Sequence, residues 1–136
     1  MIDTSKTAKN VDRYLSKQIP FLKSKVKFYK QLESVKSPNL SGMPKSSGFK
    51  ENDELVKKID NQIFYEQKLN LIYSAIESCS DQDKILLKSK YIDNKSNFEI
   101  MDLLNVQYAQ FFRLKKNALC FFAEIYADIS DLRVCS

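Results

Sequence analysis

Ser96-Asn97-Phe98-Glu99-Ile100-Met101-Asp102-Leu103-Leu104-Asn105-Val106-Gln107-Tyr108-Ala109-Gln110-Phe111-Phe112-Arg113-Leu114-Lys115-Lys116-Asn117-Ala118-Leu119 is the stretch on which the fold turns. Ser96 and Glu99 have the spacing of a capping box, in which each side chain satisfies a backbone N–H left over at a helix start. A short helix is therefore expected from Ser96, with Ile100, Leu103 and Leu104 facing inward. Asn105 and Val106 then make a tight turn. Asparagine tolerates the left-handed backbone that such a turn needs, and Val106 plugs the corner. A second, longer helix begins near Gln107, with Phe111, Leu114, Ala118 and Phe121 or Phe122 as its buried stripe. Two helices joined by so short a turn form a helix-turn-helix unit, although the same spacings also suit an ordinary helical hairpin.

Upstream, Ser80 and Asp83 have the capping-box spacing again and open a helix from Asp81 to Ile92, with Ile85, Leu86, Tyr91 and Ile92 apolar. Asp93-Asn94-Lys95 connects it to Ser96. Before it, one long amphipathic helix is expected from Asn52 to Ser78, where Leu55, Ile59, Ile63, Leu69, Ile72, Tyr73 and Ile76 recur at helical spacing. Residues 36–50 read as a loop, because both glycines and two of the three prolines of the chain lie there. Leu40 and Met43 are its candidates for packing on the body. Nearer the start, residues 4–18 form a short helix with Val11, Tyr14 and Leu15 on one face. Pro20 ends or kinks it and suits the first turn of the next, whose stripe is Phe21, Leu22, Val26, Phe28, Tyr29 and Leu32. Downstream, the last helix runs on through Phe122 and Ile125 toward Ile129, and residues 130–136 fray. The expected fold is an all-α helical bundle with a C-terminal helix-turn-helix. Its parts are a basic N-terminal arm over residues 1–50, a long bridging helix over 51–80 and the helix-turn-helix unit over 81–130.

Composition agrees with this class: in 136 residues, 43% are apolar and 29% charged, with only two glycines. The net charge of +5 is unevenly spread. Residues 1–50 hold eleven basic and three acidic residues, 51–83 hold three and eight, and 84–136 hold eight and six. Basic ends around an acidic middle suit a polyanion-binding protein. There is no histidine, and the three cysteines, Cys79, Cys120 and Cys135, have no metal-ligand spacing, so neither a metal nor a cofactor is expected. Cys79 and Cys120 read as small core residues, and an odd cysteine count fits a reducing cytoplasm. No signal peptide or membrane-spanning run is read, so no membrane partner is expected. Without a Gly-rich phosphate loop or a nucleophile paired with a base, an enzyme is not expected, and Glu66, Glu77 and Asp81 read as solvent-exposed acids.

The region from Asp83 to Leu119 resembles the fourth region of bacterial sigma factors. Ser96, Glu99, Ile100, Leu104, Asn105, Val106, Ala118 and Leu119 match that pattern in register. Gln107 departs from the usual Ser, which weakens the cap of the second helix, and Phe111 departs from a smaller aliphatic. Over nearly the whole chain, further motifs resemble the ArpU-type phage transcriptional regulators of Gram-positive bacteria and their prophages. These are Asn10-Val11 with Tyr14-Leu15, the loop Lys36 to Pro44, Asn52 with Glu54, Ala75-Ile76, Ile85-Leu86 with Tyr91-Ile92, and Lys116, Ala118-Leu119, Phe122-Ala123 and Tyr126. Activators of the RinA type share the sigma-like C-terminus. The resemblance implies a regulator that switches on late phage genes in the cytoplasm of a bacterial host, acting on double-stranded promoter DNA, with host RNA polymerase as a further partner and homo-oligomerisation open.

In a helix-turn-helix the start of the second helix meets base edges in the major groove. With Phe111 and Leu114 committed to the core, the expected DNA-facing set is Ser96, Asn97, Gln107, Tyr108, Ala109, Gln110, Phe112, Arg113, Lys115 and Lys116. Gln107, Gln110 and Arg113 are assigned to bases, since Gln pairs bidentately with adenine and Arg with guanine. Tyr108 and Phe112 would pack on thymine methyls or sugars, and Lys95, Lys115 and Lys116 would meet phosphates. The alternative is a helical protein-interaction adaptor or anti-activator that binds no specific DNA sequence.

Overall fold

A computed structural model describes the backbone of residues 1–36 and 48–135 and the side chains of residues 1–32 and 56–135. These residues form an all-α fold of five α-helices: α1 (Thr4–Lys36), α2 (Gly48–Glu77), α3 (Asp81–Leu87), α4 (Asn97–Leu104) and α5 (Tyr108–Tyr126). A π-helical turn, Lys88–Ile92, continues α3. The core of the expected loop, residues 37–47 with Leu40 and Met43, lies outside the described residues, as does the side chain of Leu55. Gly48 to Lys50, expected in that loop, belong to α2.

Pro20 does not divide the N-terminal helices as expected, because α1 runs unbroken past it. The ring removes one N–H donor, which costs an interior helix about 3 kcal/mol. Two features offset this. Ser16, whose carbonyl loses its partner, is exposed to water, and so is Pro20. The apolar stripe also continues across the proline, with Ala8, Val11, Leu15, Ile19 and Leu22 all buried at three- and four-residue steps.

The chain divides into two compact units, Met1–Ile19 with Leu71–Ser136, and Pro20–Asn70. In the first, Val11 and Leu15 of α1, Ile72 and Ile76 of α2, Leu86 and Leu87 of α3, Ile100 of α4 and Phe111 and Phe122 of α5 are fully buried. Tyr14 and Tyr126 join α1 to α5 through a hydroxyl–hydroxyl hydrogen bond of 3.0 Å. Cys79 is buried as expected, whereas Cys120 is half-buried, its thiol donating to the Thr4 carbonyl. Ser80 caps α3 by accepting from the Asp83 N–H. Ile85, expected inside, is exposed, because its neighbours Leu86 and Leu87 take the inner face of so short a helix.

The C-terminal residues do not fray as expected. Helix α5 stops at Tyr126, leaving Ile125 half-buried and Ile129 exposed. The chain then turns back along the start of α1. The Asp3 N–H donates to the Val134 carbonyl at 2.7 Å, and Asn10 Nδ2 donates to the Leu132 carbonyl at 2.9 Å. The hydroxyl of buried Thr7 accepts from the Val134 N–H at 2.9 Å, and Ile2 pairs with Cys135 in an antiparallel bridge. Leu132 is buried among these bonds.

The second unit is a pair of helical segments. Leu22 and Leu69 are buried. Tyr29 and Tyr65 stack between the segments with centroids 6.0 Å apart, and Phe21 meets Tyr65 edge-on. The Lys25 ammonium lies over the rings of Phe21 and Tyr65, 5.6 and 5.5 Å from their centroids. Phe21, Phe28, Ile59 and Ile63, all expected in buried stripes, are exposed. The reason on α2 is rotational. Tyr65 and Leu69 take the face toward α1, and Ile63, two residues from Tyr65, points about 200° round the helix.

Two consequences are measurable. Leu132→Ala should cost roughly 2–5 kcal/mol in chemical denaturation, as a buried leucine does, and a cost under half a kcal/mol would show that the tail is not packed. Stability should also fall in alkali. Burial, with Asp83 adding, pushes the Cys79 thiol up to about 11 from an ordinary 9.0. Burial and then hydrogen bonding raise the Tyr91 and Tyr126 hydroxyls as well. The unfolded chain therefore loses these protons first, so the stability they contribute is whole below pH 9.0 and drains as pH rises past it. A urea midpoint unchanged between about pH 8 and pH 11 would contradict this.

Candidate nucleic-acid interface

The segment from the π turn through α4 to α5 is held by backbone chemistry at three points. Ser96 is the N-cap of α4 and the capping box is complete: its hydroxyl accepts from the Glu99 N–H at 3.2 Å, and the Glu99 carboxylate accepts from the Ser96 N–H at 3.3 Å. Asn105 ends α4 with φ 55° and ψ 52°, in the left-handed region. Its N–H donates to the Asp102 carbonyl at 3.2 Å, and the next N–H, of Val106, donates to the Met101 carbonyl at 3.1 Å. This pair of bonds is a Schellman closure. Asn94 also has φ 55° and ends the π turn the same way, the Lys95 N–H reaching back to the Ser89 carbonyl at 2.9 Å. Gln107 starts α5 in an extended conformation without a side-chain cap bond.

Ile100 and Phe111 are fully buried, whereas Leu103, expected inside, is exposed, and Leu104 and Leu114 are half-buried. A helix of eight residues offers little more than two turns, and Ile100 alone reaches the interior. In α5 the buried stripe is Phe111, Ala118, Leu119, Phe122, Ala123 and Tyr126. Of the two phenylalanines in question, Phe122 is inside and Phe121 exposed.

Around this stripe the ten expected DNA-facing residues separate into groups. Gln107, Tyr108, Ala109, Gln110, Phe112 and Arg113 are all exposed at the start of α5. The rings of Tyr108 and Phe112 meet edge-on with centroids 4.7 Å apart. Lys116 is half-buried and lines a groove of about 520 Å^3 volume with Arg113, Asn117, Cys120 and Glu124 of α5 and Ile2, Thr4 and Thr7 of the N-terminal segment. Ser96 is exposed, with its hydroxyl engaged in the capping box. Half-buried Asn97 accepts from the Lys90 ammonium at 2.9 Å.

Lys115 stands apart. It lies four residues after Phe111 and four before Leu119, on the buried stripe, and its side chain is 19% exposed. Its ammonium faces Asp12 of α1 at 3.9 Å instead of the outer surface. The same carboxylate oxygen accepts from the Tyr91 hydroxyl at 2.5 Å. Burial, with the Lys115 charge adding, lowers the Lys90 pKa, and Asp12 acts the other way. This cluster joins α1, the π turn, the start of α4 and α5, a role that the sequence reading of Lys115 as a phosphate contact missed. The signal available was its spacing from Phe111 and Leu119.

Glu66 accepts from Gln62, Glu77 pairs with Lys84 and Lys88, and Asp81 is open to water. Among the described residues no group of three or more Cys, Asp or Glu side chains is placed to hold a metal ion, and no helix is long and apolar enough to cross a membrane.

The left-handed turn is testable alone. Asn105→Val forces a β-branched side chain into a conformation costing about 1–2 kcal/mol, while Asn105→Gly should be tolerated. Equal stability of the two variants in urea would show that the turn does not adopt this conformation.

Comparison with protein-family models, with curated proteins and with solved structures gave no match.

Proposed function

We propose that the chain is a sequence-specific DNA-binding transcription regulator, an activator of phage or prophage late genes of the ArpU type, and not an enzyme. One observation carries this reading. A left-handed turn delivers a helix whose first two turns expose Gln107, Tyr108, Ala109, Gln110, Phe112 and Arg113 while Phe111 anchors it. That is the presentation by which a recognition helix meets base edges in the major groove. Gln107, Gln110 and Arg113 carry the base-reading chemistry, and Tyr108 with Phe112 forms an aromatic edge suited to thymine methyls and sugars. Lys116 and Lys95 serve the phosphates, which fix position without reading sequence. Lys115 is withdrawn from that set because it faces Asp12. Host RNA polymerase is the second partner of this reading.

A different observation favours the adaptor or anti-activator. Phe98 is 73% exposed, Tyr108 64% and Leu103 54%. These apolar residues of α4 and the start of α5 suit a protein partner. A mobility-shift titration against promoter DNA at several salt concentrations separates the two. Arg113→Ala should cost roughly 1–3 kcal/mol on the specific site and little on random DNA. Lys116→Ala should weaken both alike and flatten the salt slope by about one unit. Wild-type protein that binds promoter and random DNA equally leaves the adaptor as the reading.

A further inference from the structure

The first turns of α1 carry charge where helix physics disfavours it. Lys6, Lys9, Arg13 and Lys17 follow at three- and four-residue steps, so they share one face of the helix. All four are exposed. Like charges at these steps repel, and Lys6 also meets the positive end of the helix dipole. The first turn holds no acid, and Asp3 just before it is the acceptor for the Lys6 N–H at 3.0 Å. Between Thr4 and Ile19 the one acid is Asp12, which faces Lys115 and Tyr91. Among the described residues none of the four cations forms an ion pair. The stripe therefore costs the free protein stability, and no described acid offsets it.

The surroundings leave this face open. Ala8, Val11, Leu15 and Ile19 are buried on the opposite side of the helix. Helix α5 meets α1 at Asp12, about 100° round the helix from Arg13, and the C-terminal tail lies along Thr7 and Asn10 on the other flank. A stripe of one sign selects a polyanion, and its form selects duplex nucleic acid. From Lys6 to Lys17 the helix rises about 16 Å, the span of about five phosphates of one strand at roughly 3.4 Å each. A membrane surface is disfavoured, because a helix that lies on lipid inserts its apolar face, and here that face is in the core. We propose that this face of α1 binds the sugar–phosphate backbone of double-stranded DNA without reading its sequence, as a contact surface apart from the start of α5. The inference rests on the reading of the chain as a DNA-binding protein and extends it to a second element.

Fluorescence anisotropy of a labelled random-sequence duplex, titrated with the full chain between about 50 and 200 mM salt, tests it. Each phosphate neutralised adds about 0.9 to the slope of log affinity against log salt, so four contacts contribute about three to four units. Lys6→Gln, Lys9→Gln, Arg13→Gln and Lys17→Gln together should remove at least about two of these units and weaken binding at the lowest salt about 100-fold or more. Helical circular dichroism should not change, since Gln forms helix about as well as Lys or Arg. Should the quadruple variant lose helicity, two doubles decide the matter. Lys9→Gln with Arg13→Gln should remove at least about one unit. Lys57→Gln with Lys58→Gln takes the same charge from exposed positions of α2 and should bind as the wild type does. Equal losses from the two doubles would reduce the effect to net charge and overturn the proposal, as would stripe variants that bind the duplex unchanged. Wild-type binding to poly-glutamate or to phosphatidylserine vesicles more tightly than to the duplex would overturn it too. The α5 reading fails separately. A wild type that binds duplex through the stripe but shows no preference for promoter over random DNA supports this proposal and removes the base reader, whereas one that binds no duplex removes both.

Discussion

Phe111 has none of its surface in water, and its burial fixes the rotation of α5. Which side chains of α5 are exposed follows from that rotation. With Phe111 inward, Lys115, Ala118, Leu119 and Phe122 must also turn inward, one to three turns later. Tyr108 and Phe112 then fall on the outer side, and Arg113, Asn117, Cys120 and Glu124 form the flank beside the N-terminal segment. A helix rotated by one residue would hide Arg113 or expose Phe111. Burying a phenylalanine outright is worth about 1.5–3 kcal/mol, more than surface contacts of the flanking side chains offer, so the aromatic decides.

The same rotation explains how much of this unit the sequence revealed. The caps were legible because they are local. A Ser three residues before a Glu, and an Asn where a helix must reverse, act through atoms a few bonds apart. The buried stripe of α5 was legible through its spacing, although the choice between Phe121 and Phe122 needed the fold. Tertiary partners were not legible. Lys115 looks like a surface lysine until Asp12, a hundred residues away, supplies the opposite charge that lets it turn inward. The tail was misread for the same reason. Nothing near Leu132 signals order, and its bonds come from Asp3, Thr7 and Asn10 at the other end of the chain. Pro20 was misread because a local rule met a stronger longitudinal one, the uninterrupted stripe from Ala8 to Leu22.

Asp12 shows how such distant partners secure α5. Its carboxylate accepts from Tyr91 on the π turn and faces Lys115 on α5, so three elements close on one anion. The Asp12 side chain keeps 42% of its surface exposed, so water shares this anion with Tyr91 and Lys115. Lys90 extends the arrangement by donating to Asn97, the first residue of α4. Two of the side chains expected at DNA, Asn97 and Lys115, are thus committed to holding the helices that present the remainder. The candidate interface is narrower than the sequence implied, and it is concentrated at the start of α5.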